Sequence, residues 1–125
     1  MPKTDKQRVV VLGASPKPER YSNRAVRLLV QHGHEVVPVH PAASSIEDLP
    51  TVHGLEAISG HVDTLSVYVS AAISSPLEDL ILSLRPGRVI FNPGTENPAL
   101  KASLEANGIH TEEACTLVLL NTHQF

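Results

Sequence analysis

The residues of this chain best suited to chemistry are Gly13, Ala14 and Ser15, three small side chains set directly behind the apolar run Val9-Val10-Val11-Leu12. A β-branched run of that kind reads as a strand buried on both faces. A small-residue turn after it, ahead of a helix, brings bare backbone N–H groups and a helix N-terminus up to an anion. The chemistry this arrangement offers is phosphate capture. The dinucleotide fingerprint G-x-G-x-x-G is not met, because the chain continues Gly13-Ala14-Ser15-Pro16-Lys17-Pro18. No G-x-x-x-x-G-K-[ST] run occurs either, which removes the P-loop kinases and ATPases.

Charge supports the same place. The formal net charge is −3, which argues against a general affinity for nucleic acid. Seven of the ten basic side chains nevertheless fall within residues 1–27 (Lys3, Lys6, Arg8, Lys17, Arg20, Arg24 and Arg27), against only Asp5 and Glu19. Lys3, Lys6 and Arg8 read as a basic N-terminal tail, residues 1–7 being expected to precede the domain. Lys17, Arg20 and Arg24 flank the phosphate turn itself and are expected to supply at least one anion contact.

Further candidates stand where other strands end. His40-Pro41 follows the second strand, Ser70-Ala71 the third, and Asn92-Pro93-Gly94-Thr95-Glu96-Asn97 the fourth. In open α/β sheets that edge takes the ligand, and small and polar residues there suit a long ligand laid along it. An acid that would hold the ribose of NAD is missing after strand two, where His40 and Pro41 stand, and no arginine between Arg27 and Arg85 would hold the extra phosphate of NADP. Ser15 lies in no G-x-S-x-G elbow, so it is not read as a nucleophile. The seven histidines show no zinc-type spacing, and no metal is expected. Glu96 reads as a loop brace. Cys115 has two readings, a small buried residue or a thiol near the far end of the ligand that forms a mixed disulfide with it.

The elements that must position these residues alternate. A helix opens at Ser22 or Tyr21 and runs to about Gln31, with Ala25, Val26, Leu29 and Val30 inward and Asn23, Arg24, Arg27 and Gln31 outward. Gly33 stops it. Glu35 to Val39 is the second strand, with Pro38 counting against a long one. Residues 42–62 read as irregular, with a short turn near Ile46–Leu49 and no full crossover helix. Thr64 to Val69 is the third strand. Ser75-Pro76-Leu77-Glu78 has the form of a capping box opening a helix that ends at Pro86-Gly87. Arg88 to Phe91 is the fourth strand, Asn97-Pro98 opens a helix to about Asn107, and a short fifth strand lies near Ile109–Thr111. A final apolar run from Cys115 to Leu120 closes the core. The pattern predicts an α/β, Rossmann-like three-layer sandwich around a mainly parallel five-stranded sheet.

Composition bounds the rest. With 125 residues, 42 % hydrophobic and 18 % charged, the chain makes one ordinary globular domain, expected over residues 8–125. No signal segment or membrane-length apolar run is read, and the single cysteine excludes an internal disulfide framework. A cytoplasmic protein with no membrane partner is expected.

Taken together, Gly13-Ala14-Ser15 with Pro18-Glu19-Arg20-Tyr21-Ser22, Val36-Val37-Pro38-Val39-His40-Pro41, Val62-Asp63, Ile90-Phe91-Asn92-Pro93-Gly94-Thr95-Glu96-Asn97 and Ala114-Cys115-Thr116-Leu117-Val118 carry a resemblance over nearly the whole chain. It resembles the stand-alone CoA-binding domain proteins, related to the N-terminal domain of the succinyl-CoA synthetase α subunit. The resemblance implies a Rossmann-like fold that binds coenzyme A, or an acyl-CoA, with no catalytic role of its own. It places Gly13, Ala14 and Ser15 at the pyrophosphate with Arg20, Ser22 and Asn23 nearby. It places Val39, His40 and Pro41 at the adenosine, and Val69, Ser70, Asn92, Pro93 and Gly94 along the pantetheine arm. One departure is His40, where the family commonly has asparagine. Two other readings stay open: a small enzyme on a CoA thioester or nucleotide, with Glu96 or His40 as acid–base group, and a nucleotide- or redox-sensing interaction protein.

Overall fold

A computed structural model describes residues 6–125. The first strand, β1 (Arg8–Leu12), leads through the Gly13–Arg20 loop to α1 (Tyr21–Gln31), then β2 (Glu35–Val39). Two short strands follow, β3 (Ser45–Ile46) and β4 (Leu49–Pro50), with a single 3₁₀ turn at Leu55–Ala57. Then come β5 (Thr64–Val67), α2 (Ala71–Ser74), a second 3₁₀ turn (Ser75–Leu77), α3 (Glu78–Leu84), β6 (Arg88–Phe91), α4 (Pro98–Ala106), β7 (His110–Glu113) and α5 (Thr116–Asn121). Five strands form one parallel sheet in the order β2-β1-β5-β6-β7. This is the α/β, Rossmann-like layered fold that the alternation predicts.

Strand alternation builds the two faces. Val9 and Val11 pack with Val26 and Leu29 of α1, Ile90 and Leu120 of α5. Val10 and Leu12 turn the other way, joining Leu65, Val67, Ile81 of α3, Phe91, and Leu100 and Leu104 of α4. Each is almost completely buried. Helices on both faces leave the central strands no wet side, which is why β1 is apolar from Val9 to Leu12 and why the two polar residues of β5, Thr64 and Ser66, are buried with their hydroxyls hydrogen-bonded.

Chain order reverses at β1, since β2 lies on one side of it and β5 on the other. At that reversal α1, which follows β1, packs on one face of the sheet and α3, which follows β5, on the other, and a crevice opens at the carboxyl edge.

The second connection contains no α-helix. It is a two-residue hairpin in which Glu47 and Asp48 both adopt positive φ, +51° and +64°, the geometry of a tight hairpin turn. Its Ile46 is only 1 % exposed, inserted among the Val9 and Leu29 group. Pro38 is tolerated because β2 is the outer strand of the sheet. Val52 bridges to that strand's outer side, its N–H donating to the Pro38 carbonyl at 3.1 Å.

Several expectations need correction. The Ser75–Glu78 capping box does not form. Ser75 lies in the 3₁₀ turn without a cap bond, its Oγ accepting from Asn97 Nδ2 at 3.0 Å, and Glu78 accepts from Ser103 Oγ. The helical segment starts one turn earlier, at Ala71, and Pro76 breaks it because proline lacks the N–H a continuous α-helix needs. Asn23, expected outside, is fully buried, and Val30, expected inside, is 46 % exposed. Both lie on one flank of α1, which meets the Ser15 turn at its start and solvent at its end. β5 stops at Val67, although Tyr68 still donates to the Leu12 carbonyl.

Lys3 and most of the expected tail lie outside the described residues. At its end, Gln7 already belongs to the sheet margin, its carbonyl accepting from Glu35 N–H at 2.9 Å. Arg8 is a strand residue, not a tail residue. Its guanidinium holds Glu35 and the Ser59 and His61 carbonyls at the amino edge, so it does not add to the charge near Gly13.

Candidate functional site

Gly13 sets the geometry of the carboxyl edge. Its φ is +91°, and a Cβ added there would stand 2.7 Å from Val69 Cγ1 and 3.1 Å from the Tyr68 carbonyl carbon. Only glycine permits both the backbone angle and the close approach of the β1 and β5 ends. Next, Ala14 is buried and its N–H donates to the Val39 carbonyl at 3.1 Å. That corrects its expected role: the Ala14 amide ties β1 to β2 and is not available to a ligand. The Gly13 and Ser15 N–H groups have no acceptor among the described residues, so both are free donors of the turn.

Behind it stands α1. Arg20 occupies the cap position without a side-chain cap bond, the first turn holds no acid, and the first intrahelical bond runs from Arg24 N–H to the Arg20 carbonyl. The Tyr21 and Ser22 amides thus open toward the same place, at the positive end of the helix dipole. Lys17 and Arg20 are exposed there. Arg24 is drawn over the Tyr21 ring at 5.4 Å. Arg27 instead braces the loop, donating to the Pro18 carbonyl and to Asn23 Oδ1. Asn23 in turn donates to the Ser15 carbonyl at 2.9 Å and to Glu47 at 3.1 Å. Both donors of its side-chain amide are engaged inside the protein, so this side chain shapes the Ser15 turn.

Beside this turn opens a cleft of about 310 Å³, lined by Leu12, Gly13, Val39, Pro41, His53, Gly54, Leu55, Glu56, Val69, Ile73 and Leu77. It brings together four residues singled out from sequence (Gly13, Val39, Pro41, Val69). It adds His53–Glu56, which sequence reasoning missed because nothing in an irregular stretch marks which residues fold back over a strand end. Ile73, 55 % exposed on α2, forms the rim, with Ser70 exposed just before that helix. The volume is at the lower limit for small-molecule pockets, which suits one end of a long ligand.

His40 is a structural answer to the departure from asparagine. Its Nδ1 accepts from Ala42 N–H at 3.0 Å and Ala43 N–H at 2.8 Å. An asparagine side-chain oxygen closes the same kind of turn onto N–H groups two and three residues on. With Nδ1 accepting both bonds, Nε2 is the ring nitrogen left to carry a proton.

Asn92 is also corrected. It is 1 % exposed, donating from Nδ2 to Ser66 Oγ (3.0 Å) and the Val67 carbonyl (2.9 Å), while Oδ1 accepts from Thr116 N–H at 2.8 Å. Its side chain clamps β5, β6 and the start of α5 and has nothing left for a ligand. Pro93 and Gly94 are exposed, and Glu96 holds the Gly94 N–H from both carboxylate oxygens. Cys115 is half-buried at the position before α5, two residues past β7. Three strand spacings of roughly 4.8 Å put it about 14 Å along the edge from the end of β1. Beside it, burial raises the Tyr68 hydroxyl pKa well above its usual range. Among the described residues, no group of three or more His, Cys, Asp or Glu is placed to hold a metal ion, and no helix is long and apolar enough to cross a membrane.

Comparison with known proteins gives the family and the fold. The family model described as CoA binding domain matches residues 7–121. A crystal structure of an uncharacterized protein superposes with a TM-score of 0.91 at 38 % identity, covering 97 % of this chain and 99 % of that one. The uncharacterized protein YneT of Bacillus subtilis is 29 % identical over 62 residues, a stretch that spans 50 % of this chain and 46 % of YneT. The dinucleotide-forming acetyl-coenzyme A synthetase 1 of Ca. Korarchaeum cryptofilum shares the fold at a TM-score of 0.75 and 16 % identity, 89 % of this chain covering 26 % of that enzyme. Sheet order, glycine turn and family match converge, and the chain belongs to the CoA binding domain family.

Proposed function

We propose that this protein binds coenzyme A, free or acylated, along the carboxyl edge of its sheet and does not transform it. The observation that carries this reading is the cleft of about 310 Å³ that opens directly beside the Gly13–Ser15 turn. The Ser15 N–H, the amides of Tyr21 and Ser22, and the Arg20 and Lys17 side chains take the pyrophosphate. Val39, Pro41 and the His53–Leu55 wall receive the adenosine, in a recess too small for the whole ligand. Val69, Ser70, Pro93 and Gly94 line the path of the pantetheine arm toward Cys115.

Two features support binding without turnover. The groups that would serve as acid or base are already engaged in holding loops: His40 Nδ1 by two backbone N–H groups and Glu96 by one. Ser15 Oγ likewise accepts from Lys17 N–H at 3.1 Å. NAD fits less well, because His40 and Pro41 stand after β2 where its ribose needs a carboxylate.

The test is calorimetric titration of the purified protein with CoA, acetyl-CoA, NAD and ATP, with Arg20→Ala and Ser15→Pro in parallel. The proline removes the Ser15 N–H, a free donor of the turn among the described residues. CoA binding weakened by both variants, with NAD silent, is the expected result. Binding of NAD or ATP alone contradicts the reading, and turnover of acetyl-CoA contradicts its non-catalytic part.

A further inference from the structure

The wall of the cleft that carries Pro41 is held by one imidazole. His40 leaves β2 with its N–H on the Val52 carbonyl at 3.0 Å, and its ring folds forward onto the Ala42 and Ala43 amides. The segment that follows is tied back at several points. Thr51 N–H donates to the Ser44 carbonyl, Thr51 Oγ1 to the Ala43 carbonyl, and Val52 N–H to the Pro38 carbonyl. Through these ties the 40–43 turn and the His53–Leu55 wall form one strap. Pro41 projects from it at one side of the cleft, His53, Gly54 and Leu55 at the other.

We infer that His40 is a proton-sensitive latch on this wall. The two N–H donors can be accepted only by an unprotonated Nδ1. A proton there replaces the shared lone pair with a third donor aimed at two donors, and the turn loses both bonds. No carboxamide has this weakness, so an asparagine at this position would close the turn at every pH. The titratable groups on the packed elements are His53 and Glu56 on the cleft wall and Glu47 and Asp48 on the hairpin that follows. Of these His53 is the other imidazole, and it is common to all the proteins compared below. Acidification therefore slackens the Pro41 wall and weakens whatever the cleft holds. The affinity consequence rests on the coenzyme A reading above, whereas the latch itself does not.

The experiment has a ligand-free arm and a ligand arm. In the free protein, nuclear magnetic resonance follows the His40 ring nitrogens and the Ala42 and Ala43 amides from about pH 8 to about pH 5.5, spanning the histidine range. The Ala42 and Ala43 signals should shift with the His40 midpoint in the wild type and stay still in His40→Asn. Calorimetry then compares CoA binding by wild type, His40→Asn and His40→Ala at both pH values. Losing two hydrogen bonds predicts a wild-type affinity that falls roughly five- to tenfold more than that of His40→Asn on acidification. Any titration of the ligand's phosphates or of His53 is common to both proteins and cancels in that comparison. At the higher pH His40→Asn should bind like wild type and His40→Ala more weakly. Nδ1 protonated at about pH 8, amides that do not follow the ring, or equal pH slopes in wild type and His40→Asn overturn the latch. Absence of CoA binding by all three proteins overturns the coenzyme A reading alone, and the amide titration still decides the latch.

Discussion

Replacing Gly13 by alanine isolates the contact on which the edge is built. Two costs add at this position. The positive φ of +91° is a conformation that costs an L side chain about 1–2 kcal/mol. The new methyl then stands 3.1 and 3.2 Å from the Tyr68 carbonyl carbon and oxygen, backbone atoms that cannot rotate away, and 2.7 Å from a Val69 methyl that can. Relieving that crowding adds roughly 1–2 kcal/mol, for a total of about 3 kcal/mol. In a domain of this size each kcal/mol lowers the melting temperature by about 3–5 °C, so Gly13→Ala should melt roughly 10–15 °C below wild type. Gly33→Ala is the matched control: its φ is +86°, but nothing lies within 4 Å of the added carbon. It should lose only the backbone part, about 3–10 °C, and bind CoA normally, while Gly13→Ala, with the turn displaced, binds at least tenfold more weakly. Thermal unfolding and calorimetry on both variants decide the matter. If the two melt within about 2 °C of each other, or if Gly13→Ala binds CoA like wild type, the tight approach of β1 and β5 is not what shapes the site.

Asn92→Asp should lower stability by about 3 kcal/mol in urea unfolding, because it sets an oxygen against the Val67 carbonyl where Nδ2 now donates. An unchanged urea midpoint would remove Asn92 as the clamp of β5, β6 and α5. Stability should fall on the acid side in two steps. Burial, with His32 and Arg88 adding to it, holds His34 below the ordinary histidine value. Its stabilisation is therefore present above the ordinary histidine range and lost as pH falls through it. Donation from the Arg8 N–H, supported by His61, holds Asp63 below the ordinary carboxylate value in spite of partial desolvation. Its stabilisation is likewise present above the carboxylate range and lost below it. Asp63→Asn should flatten the lower step in a plot of urea midpoint against pH and, because the Asp63 carboxylate favours a charged His34, deepen the upper one; parallel curves for the two proteins would contradict this. Arg20→Glu should weaken CoA binding roughly tenfold at low salt and less at high salt, whereas an effect independent of salt would mean that Arg20 acts through structure and not charge.

The sheet was legible because its period is simple. Val9–Leu12, Thr64–Val67 and Arg88–Phe91 are short apolar runs set between turn residues, and the glycine turn after the first of them marks the crevice. The Asn97-Pro98 cap also reads correctly: Asn97 Oδ1 accepts from Leu100 N–H at 3.1 Å. The same logic failed at Ser75-Pro76, where the capping groups are held by Asn97 and Ser103 from another helix, partners that local sequence cannot reveal. Asn23 and Asn92 are expected from sequence as ligand contacts, whereas the structure engages both side-chain amides within the protein. A buried amide and a ligand-facing amide look alike in sequence, and only the engaged hydrogen bonds separate them. The far wall of the cleft was invisible for a related reason. His53 to Leu55 reach it through long-range ties such as Val52 to Pro38, with no periodic signal of their own.

The central claim is that coenzyme A lies along the carboxyl edge, with its phosphates at the Ser15 turn. Backbone amide shift mapping of the isotope-labelled protein during titration with CoA tests it most directly. Saturable shifts are expected at Gly13 to Ser15, Arg20 to Ser22, Val39 to His40, His53 to Leu55 and Val69 to Ile73, with Gln7, Asp63 and His110 at the opposite edge unmoved. Shifts centred on that opposite edge, or none on saturation with CoA, would contradict it.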